Sequence, residues 1–176
     1  PGETIITGIG QGIFLTTPLQ LATATAALAN NGQIIQPKVV QAEQTTGSDE
    51  LLPHQPRIGE TITIMDQHHW DDVIQAMIDV VHAPRGTARR IGEDSPYRIA
   101  GKTGTAQVFG LKQEEKYDAE AIEEKLRDHS LFIAFAPVEE PVIAVAVIVE
   151  NGGSGSAVAA PIARTILDAW LLDNPA

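Results

Sequence analysis

The first periodic segment of the chain carries the signals of a complete helix over about residues 18–30. Thr17 and Gln20 form a T-x-x-Q capping box, in which each side chain can bond the other's backbone N–H. Pro18 follows the cap, at a position where a missing N–H costs nothing. Asn31-Gly32 supplies the stop, because both residue types accept the left-handed conformation that ends a helix.

Two further helices are predicted from apolar stripes at helical spacing. The second helix is expected over about residues 66–82, before the turn at 84–86. Its stripe consists of Trp70, Val73, Ile74, Met77 and Val81. The third helix is expected over about residues 159–172, and we predict that its buried stripe consists of Ile162, Ile166 and Trp170.

The other strongly apolar segments are short, as is typical of strands. Residues 131–136 and 142–149 are predicted to be buried strands joined by a turn. Residues 97–108, YRIAGKTGTAQV, also begin and end like a strand, although the middle holds a lysine, two threonines and two glycines. Strands that follow one another favour an antiparallel sheet, here with helices on its faces. The predicted fold class is therefore α+β.

Polar segments are predicted to connect these elements. Residues 33–42 are expected to be briefly extended, and residues 44–59 are expected to form a surface loop. Residues 112–128 are strongly charged and contain a predicted short helix at about 119–126. The acidic side chains of this segment are interpreted as a solvated loop rather than a catalytic pair.

Composition narrows the function classes. The chain has 176 residues, which is the size of one domain, and 43% of them are hydrophobic. Twelve basic and 23 acidic residues give a net charge of −11, so the cationic footprint of a nucleic-acid binder is missing. No cysteine is present, which excludes disulfides and thiol catalysis. The sequence starts at Pro1 without a methionine, and we interpret it as a piece of a longer protein.

Two common motifs are excluded by spacing. The Gly-Lys-Thr of residues 101–103 would be part of a phosphate loop only if a glycine stood at Pro96. The glycines of residues 8–12 lack the last glycine of a dinucleotide fingerprint. The five histidines show no ligand pair at helical spacing, so they are interpreted as surface or structural residues, and neither a metal nor a cofactor is expected.

The tetrapeptide Lys102-Thr103-Gly104-Thr105 suits one chemical task. A cation and two hydroxyls on an edge strand can hold a carboxylate, while a backbone N–H points at a developing oxyanion. A glycine between them lets an extended peptide lie against the strand. The alternative, a strand with a tolerated lysine and incidental glycines, stays open on these four residues alone.

The same residues form a Lys-Thr-Gly motif that resembles the third motif of penicillin-binding proteins and serine β-lactamases. Together with four other segments they are similar to the C-terminal half of the transpeptidase domain of class B penicillin-binding proteins, in particular the elongation class. The resemblance covers essentially the whole chain and implies strands 3–5 of that family's antiparallel sheet. The segments are IGQGIFLTTPLQLATATAALANNG (9–32), RGTA (85–88), IAGKTGTAQVFGLK (99–112), RDHSLFIAFAP (127–137) and VAVIVENGGSG (145–155).

The resemblance implies a role for each motif residue. Lys102 is expected to supply positive potential near a serine of the family's S-x-N motif. The hydroxyls of Thr103 and Thr105 are expected to bind the carboxylate of the substrate or of a β-lactam. The backbone N–H of Thr105 is expected to be an oxyanion-hole donor, and Gly104 is expected to leave room for the acyl chain.

The resemblance also implies what the chain lacks. None of the five serines begins an S-x-x-K or S-x-N motif, and in the family both motifs lie N-terminal to the matched region. The chain alone is therefore expected to be inactive, since the nucleophile and its base must lie within hydrogen-bond reach. The pedestal domain and a single-pass inner-membrane anchor, which would place the catalytic domain in the periplasm, are expected elsewhere in the parent protein.

The implied activity is peptidoglycan D,D-transpeptidation on stem peptides, with β-lactams as inhibitors. Two alternatives stay open: a D,D-carboxypeptidase or β-lactamase relative, and a sensor or scaffold that binds without catalysis. The elongation class further implies a glycan polymerase and rod-complex scaffold proteins as partners. A half-domain is also expected to leave apolar surface uncovered, so the chain is predicted to self-associate.

Overall fold

The computed structural model describes residues 2–108 and 123–173, which form helices around a small central sheet. The helices are α1 (Gly2–Gly8), α2 (Pro18–Ala29), α3 (His68–His82) and α4 (Ala160–Leu171). The strands are β1 (Gln33–Gln36), β2 (Ala42–Gln44), β3 (Leu51–Pro53), β4 (Arg57–Thr61), β5 (Ala100–Ala106), β6 (His129–Ala136) and β7 (Ile143–Val149). Helices and antiparallel strands together confirm the α+β prediction.

The central sheet is an antiparallel meander in the order β5-β6-β7, as predicted. In the register of β5 and β6, Lys102 lies opposite Ile133 and Thr105 opposite Ser130. Strand β6 is central, and its residues from Phe132 to Ala136 alternate between two cores. Strand β5 is an edge strand, so one side of its backbone has no strand partner among the described residues.

Two hydrophobic cores cover the two faces of this sheet. On one face, α4 packs its Leu167 into a cluster that contains Phe132 and Val147. On the other face, Met77 and Ile78 of α3 pack against Ala100 and Phe135, with the end of α2 at the margin. Because helices cover both faces, the apolar alternation of β6 is satisfied on each side.

The predicted ends of α2 are confirmed in detail. The hydroxyl of Thr17 accepts a hydrogen bond from the Gln20 backbone N–H at 3.2 Å, and the Gln20 side chain accepts one from the Thr17 N–H at 2.8 Å. Asn31 and Gly32 follow the helix with φ of 51° and 90°. A Cβ at Gly32 would lie 2.7 Å from the Ile62 carbonyl oxygen, so only glycine fits this turn.

The prediction of a surface loop over residues 44–59 is wrong. Strand β3 pairs with β2, and β4 pairs with β1 through an irregular register, which makes two small antiparallel ribbons. Most of their residues are exposed, so burial did not impose the apolar alternation from which strands are recognised.

The predicted buried stripe of the last helix is also wrong. Helix α4 buries Ala160, Ala163 and Leu167. Ile162, Ile166 and Trp170 lie on the outer side, and Trp170 is 53% exposed. The small side chains of the alanines allow the helix backbone to approach the sheet closely, whereas the larger stripe faces away from it.

The remaining boundaries differ in smaller ways. The second helix begins at His68 and buries most of its predicted stripe, but Val73 is exposed. The strand predicted over 97–108 is extended over Ala100–Ala106. The charged segment and its predicted short helix lie largely outside the described residues, and a single 3₁₀ turn occupies Glu124–Leu126. In the two described ranges, no helix has the length and apolarity needed to cross a bilayer.

Candidate active site

Strand β5 presents the Lys-Thr-Gly-Thr motif at an open sheet edge. The pairing places Thr103 opposite Phe132 and Thr105 opposite Ser130. Directly opposed residues in an antiparallel pair share a face, so both threonines lie on the α4 side of the sheet. Lys102 and Gly104 lie on the other face. The edge therefore carries hydroxyls on one face, an ammonium group on the other, and between them backbone groups that no other strand of the described ranges pairs with.

Lys102 is exposed and bends along the strand edge. Its Nζ donates a hydrogen bond of 2.6 Å to the carbonyl oxygen of Thr103. This contact holds the ammonium charge close to the edge where a peptide ligand could pair. No carboxylate lies within ion-pair distance of Lys102 in the described ranges, so its positive charge is available to an anionic ligand.

The hydroxyl of Thr103 has a neighbour from a different part of the chain. Its Oγ1 lies 3.2 Å from Oγ1 of Thr87, which follows the end of α3. Thr103 is half-buried and Thr87 is exposed, so the pair is accessible from solvent. Two hydroxyls at this distance share one hydrogen bond, which leaves the second proton for another acceptor.

Thr105 is exposed, and its carbonyl group is held by a residue from the N-terminal segment. Nε2 of Gln11 donates a hydrogen bond of 2.7 Å to the Thr105 carbonyl oxygen. Beside this contact lies a groove of about 390 Å³ between the N-terminal segment and the strand edge. The groove is lined by Ile9, Gly10, Gln11, Phe14, Leu15, Thr16, Leu21, Gly104, Thr105, Ala106, His129, Leu131 and Ile148.

The glycine of the motif lies where backbones approach closely. A Cβ at Gly104 would come within 3.2 Å of the Leu131 Cβ, and one at Gly155 would come within 2.5 Å of the Gly104 carbonyl oxygen. The segment at Gly155 therefore rests directly on the backbone of β5. This contact supports the strand from the α4 side, whereas the Cβ that Gly104 lacks would lie on the other face, against Leu131.

Ser130 is the serine that faces Thr105 across the sheet, but its hydroxyl is committed to structure. It is fully buried, donates to the Ser154 carbonyl oxygen at 2.9 Å and accepts from the Ala159 N–H at 3.1 Å. These two bonds tie the loop after β7 to β6. A buried hydroxyl with both partners inside the protein is not placed to attack a substrate.

A half-buried histidine fixes the start of β5. Nε2 of His82, at the end of α3, accepts a hydrogen bond of 2.9 Å from the Ile99 backbone N–H. Burial and the nearby Arg98 guanidinium lower the pKa of His82 below its usual value of 6.5, against a smaller opposing effect of Glu139. The neutral imidazole therefore links helix and strand just before the motif.

A polar cluster of Tyr97, Arg164 and Asp168 lies between α4 and the segment before β5. The hydroxyl of Tyr97 donates to Oδ1 of Asp168 at 2.5 Å, and Arg164 bonds the same carboxylate at 2.8 Å. Burial, followed by the Asp168 carboxylate, raises the pKa of Tyr97 well above its usual value. The cluster joins α4 to the segment that leads into β5. Among residues 2–108 and 123–173, no cluster of three or more potential metal ligands occurs.

Lys102, Thr103, Gly104 and Thr105, the residues predicted from the sequence, lie together on one strand edge. Sequence reasoning missed two residues that touch them, Thr87 and Gln11. Both lie inside segments that carry the family resemblance, RGTA and GQG, but nothing in the local sequence indicates which residue of β5 each would contact.

Three comparisons with known proteins all find similarity to penicillin-binding proteins or peptidoglycan transpeptidases. Residues 2–168 match the penicillin binding protein transpeptidase domain. The chain is 44% identical, over 95% of its own length and 27% of the relative's, to the peptidoglycan D,D-transpeptidase MrdA of Salmonella typhimurium. It thus spans about a quarter of the length of the curated relatives it matches.

Two solved structures are similar throughout the chain. A crystal structure of Pseudomonas aeruginosa PBP2 in complex with WCK 5153 is 46% identical, with a TM-score of 0.77 over 99% of this chain and 35% of that one. A Helicobacter pylori complex between PBP2 and MreC is 27% identical, with a TM-score of 0.71 over 96% of this chain and 27% of that one. From the family match, the shared fold and the motif on its open edge, the chain belongs to the penicillin-binding protein transpeptidase family.

Proposed function

We propose that the chain is the C-terminal portion of the transpeptidase domain of a peptidoglycan D,D-transpeptidase. The observation that carries the proposal is the open edge of β5, where Lys102, Thr103 and Thr105 offer a cation, two hydroxyls and backbone groups to an extended peptide. A D-alanyl-D-alanine terminus has the matching features, namely a carboxylate and a scissile amide in an extended chain.

Each motif residue takes one part of the reaction. Thr103 and Thr105, whose side chains share a face, bind the terminal carboxylate of the donor stem peptide through their hydroxyls. The Thr105 N–H stabilises the oxyanion that forms when a serine oxygen attacks the adjacent carbonyl carbon. Lys102 supplies positive potential beside the serine of the S-x-N motif, and Gly104 leaves room for the acyl chain.

The nucleophile is supplied by sequence N-terminal to this chain. In the proposed reaction the S-x-x-K serine forms an ester with the penultimate D-alanine, and the terminal D-alanine leaves with a proton. An amine of a neighbouring stem peptide then attacks the ester, which forms the cross-link and frees the serine. β-Lactams acylate the same serine. Residues 1–176 alone should therefore be inactive.

The parent protein is proposed to be an elongation-class enzyme, with a pedestal domain and a single-pass anchor in the inner membrane and its catalytic domain in the periplasm. The identity to MrdA and PBP2 supports the class. The structure of the Helicobacter pylori PBP2–MreC complex supports a rod-complex scaffold protein as partner. A glycan polymerase is proposed as a second partner through the same parent.

Labelling with a fluorescent penicillin tests the proposal. A longer protein that includes the upstream S-x-x-K motif should form a covalent adduct that survives denaturation, whereas residues 1–176 should not. If the longer protein fails to label, or if no S-x-x-K occurs upstream, a binding protein without catalysis becomes the better assignment. Rapid turnover of nitrocefin would instead favour a β-lactamase.

The motif lysine can be tested in the same longer protein. Lys102→Ala should lower the second-order acylation constant roughly tenfold to a hundredfold, because a hydrogen bond to a charged group contributes about 1.5–3 kcal/mol. Lys125→Ala removes a surface lysine that is paired with Glu123 and is the matched control. Equal acylation of the two variants would contradict the role of Lys102.

A further inference from the structure

Thr87 has no role in the proposed function as it stands, although its hydroxyl contacts that of Thr103. Thr103 is the motif residue proposed to bind a carboxylate, and Oγ1 of Thr87 lies 3.2 Å from its Oγ1. Thr87 belongs to a turn after α3 and Thr103 to the edge strand β5. The contact is therefore made by tertiary packing between two elements, and a substitution at Thr87 leaves the motif itself intact.

Thr87 is exposed, but the residues on both sides of it are fixed. A Cβ at Gly86 would lie 2.4 Å from the Val80 carbonyl oxygen, so this turn packs tightly on the end of α3. Ala88 is buried, and its N–H bonds the same Val80 carbonyl oxygen at 2.9 Å. Thr87 thus projects its hydroxyl from a backbone that is held against α3 at both flanks.

The turn is also held in position relative to β5. Met77 and Ile78 of α3 pack in one cluster with Ala100, the first residue of β5. His82 accepts the Ile99 N–H at 2.9 Å, one residue before the strand begins. Since both contacts fix α3 against β5, the fold sets the separation of the two backbone segments that carry the hydroxyls.

A threonine hydroxyl has one proton to donate and two lone pairs to accept with. When a carboxylate accepts the proton of Thr103, the Thr103 oxygen can still accept the proton of Thr87. Two hydroxyls arranged in this order polarise each other, which strengthens the bond to the anion. If Thr87 could not donate, Thr103 would lose this support.

We propose that Thr87 is a positioning residue for carboxylate recognition, whose O–H donates to Thr103 and so directs the Thr103 proton toward the carboxylate of the acyl donor. The inference rests on the proposed function, because it assigns Thr87 to the anion site of that reaction. The role predicts a selective effect. Acylation by ligands with a carboxylate should depend on Thr87, and acylation by ligands without one should not.

The test measures the acylation constant of the longer, labelling-competent protein with benzylpenicillin and with its methyl ester, which has no carboxylate. Thr87→Val should lower the constant for benzylpenicillin about three- to tenfold, as expected for the loss of one hydrogen bond. The constant for the ester should stay within about twofold of that of the unsubstituted protein. Thr87→Ser, which keeps the hydroxyl, should restore acylation by benzylpenicillin.

A double-mutant cycle separates positioning from simple support of the fold. In a Thr103→Val background, Thr87→Val should have no further effect, because the hydroxyl through which it acts is gone. Thr165→Val removes an exposed hydroxyl that donates to the Pro161 carbonyl oxygen within α4, and it should leave acylation unchanged. Circular dichroism and the melting temperature of each variant report its folding.

Three outcomes would overturn the inference. Thr87→Val could acylate like the unsubstituted protein, it could lower the constants for acid and ester equally, or it could act as strongly without Thr103 as with it. Failure of the proposed function looks different, because the unsubstituted protein would then not be acylated at all. If Thr87→Val does not fold, Thr87→Ala and Thr87→Ser take its place. The ratio of the acylation constant for benzylpenicillin to that for its methyl ester should then fall in Thr87→Ala and be kept in Thr87→Ser. A ratio in Thr87→Ala equal to that of the unsubstituted protein overturns the inference.

Discussion

The chain contains two regions that differ sharply in how they use their apolar residues. In residues 66–173, the described part holds both hydrophobic cores around the three-stranded sheet. In residues 2–65, Thr25 and Ala27 are the buried side chains of the described part. The first region has α1, α2 and two small ribbons, but these elements do not enclose a core of their own.

The apolar residues of the first region are mostly on the surface. Leu15 is 91% exposed, and many neighbouring large apolar side chains are also exposed. They include Ile5, Ile6, Ile9, Ile13, Phe14 and Leu19. Contiguous exposed apolar surface of this kind marks interaction sites. The same segment borders the groove at Thr105, so the uncovered surface and the candidate site are adjacent.

Helix α2 joins the two regions, because it packs against β7 and, less extensively, against β6. Helix α2 packs at the margin of one core, through Leu28 and Ala29. Nε1 of Trp70 donates to the Leu28 carbonyl oxygen at 3.2 Å, and Gln11 bonds Thr105. The difference in burial indicates that most of the folding free energy comes from the sheet region, whereas the first region adds α2 against the sheet, exposed surface and one wall of the groove.

A matched pair of phenylalanines tests this difference most strongly. Phe132→Ala removes a fully buried ring from β6 and should lower the free energy of unfolding by about 3–5 kcal/mol. Phe14→Ala removes a ring that is 53% exposed in the first region and should cost less than about 1 kcal/mol. Urea unfolding at one protein concentration measures both.

Similar losses of stability in the two alanine variants would contradict the contrast between the two regions. Such a result would mean that the first region is folded against the sheet more closely than its exposure indicates. A changed denaturant slope in Phe14→Ala would lead to the same conclusion, since the slope follows the surface exposed on unfolding.

The exposed surface of the first region should also drive association. We predict that residues 1–176 form dimers or larger species through it, and that Leu15→Glu weakens this association. Burying a leucine contributes about 1.5–3 kcal/mol, so the dissociation constant should rise roughly tenfold to a hundredfold. Gln55→Glu adds the same charge at an exposed polar position and is the control. Sedimentation velocity that finds a monomer at every concentration would contradict the prediction.

The same contrast explains how much of the fold the sequence predicts. Helix α2 follows from its capping residues, and α3, β6 and β7 follow from apolar patterns that burial imposes. Strands β2, β3 and β4 were missed, since their mostly exposed residues are under no such constraint. Apolar patterns in the sequence therefore indicate which residues are buried, and they predict a helix or strand only where one of its faces is buried.

Helix α4 shows a different limit. Its sequence has two apolar sides, one with the large residues Ile166 and Trp170 and one with Ala163 and Leu167. Periodicity identifies both sides but does not choose between them, and the size of the side chains favoured the wrong one. The choice is made by packing on the sheet, where Ala160 and Ala163 allow a close approach and Leu167 fills the core.

The candidate site divides in the same way. Lys102 and Thr103 were identified because their residue types and spacing match a known motif. Thr87 and Gln11 were missed because they reach β5 from 16 and 94 residues away, through packing that local sequence does not encode. Residues that act on a motif from other elements become visible only in the folded chain.

A pair of histidines, one from each region, tests the pH dependence of the free energy of unfolding, where we expect the smallest effect. His82 has a lowered pKa, so in the range just below 6.5 the unfolded chain binds more protons than the folded chain. The stability contributed by neutral His82 is therefore fully present above pH 6.5 and is lost as the pH falls from there toward the folded pKa. Protonation also ends the bond from the Ile99 N–H to Nε2.

Urea unfolding between pH 5 and 7.5 should show this decline, and His82→Gln should make the curve flatter. His54→Gln is the control from the first region, where the imidazole is exposed beside Glu43. It keeps His82 and should keep the decline. If His54→Gln flattens the curve and His82→Gln does not, then the pH-sensitive contact lies in the exposed region and not at the junction of α3 and β5.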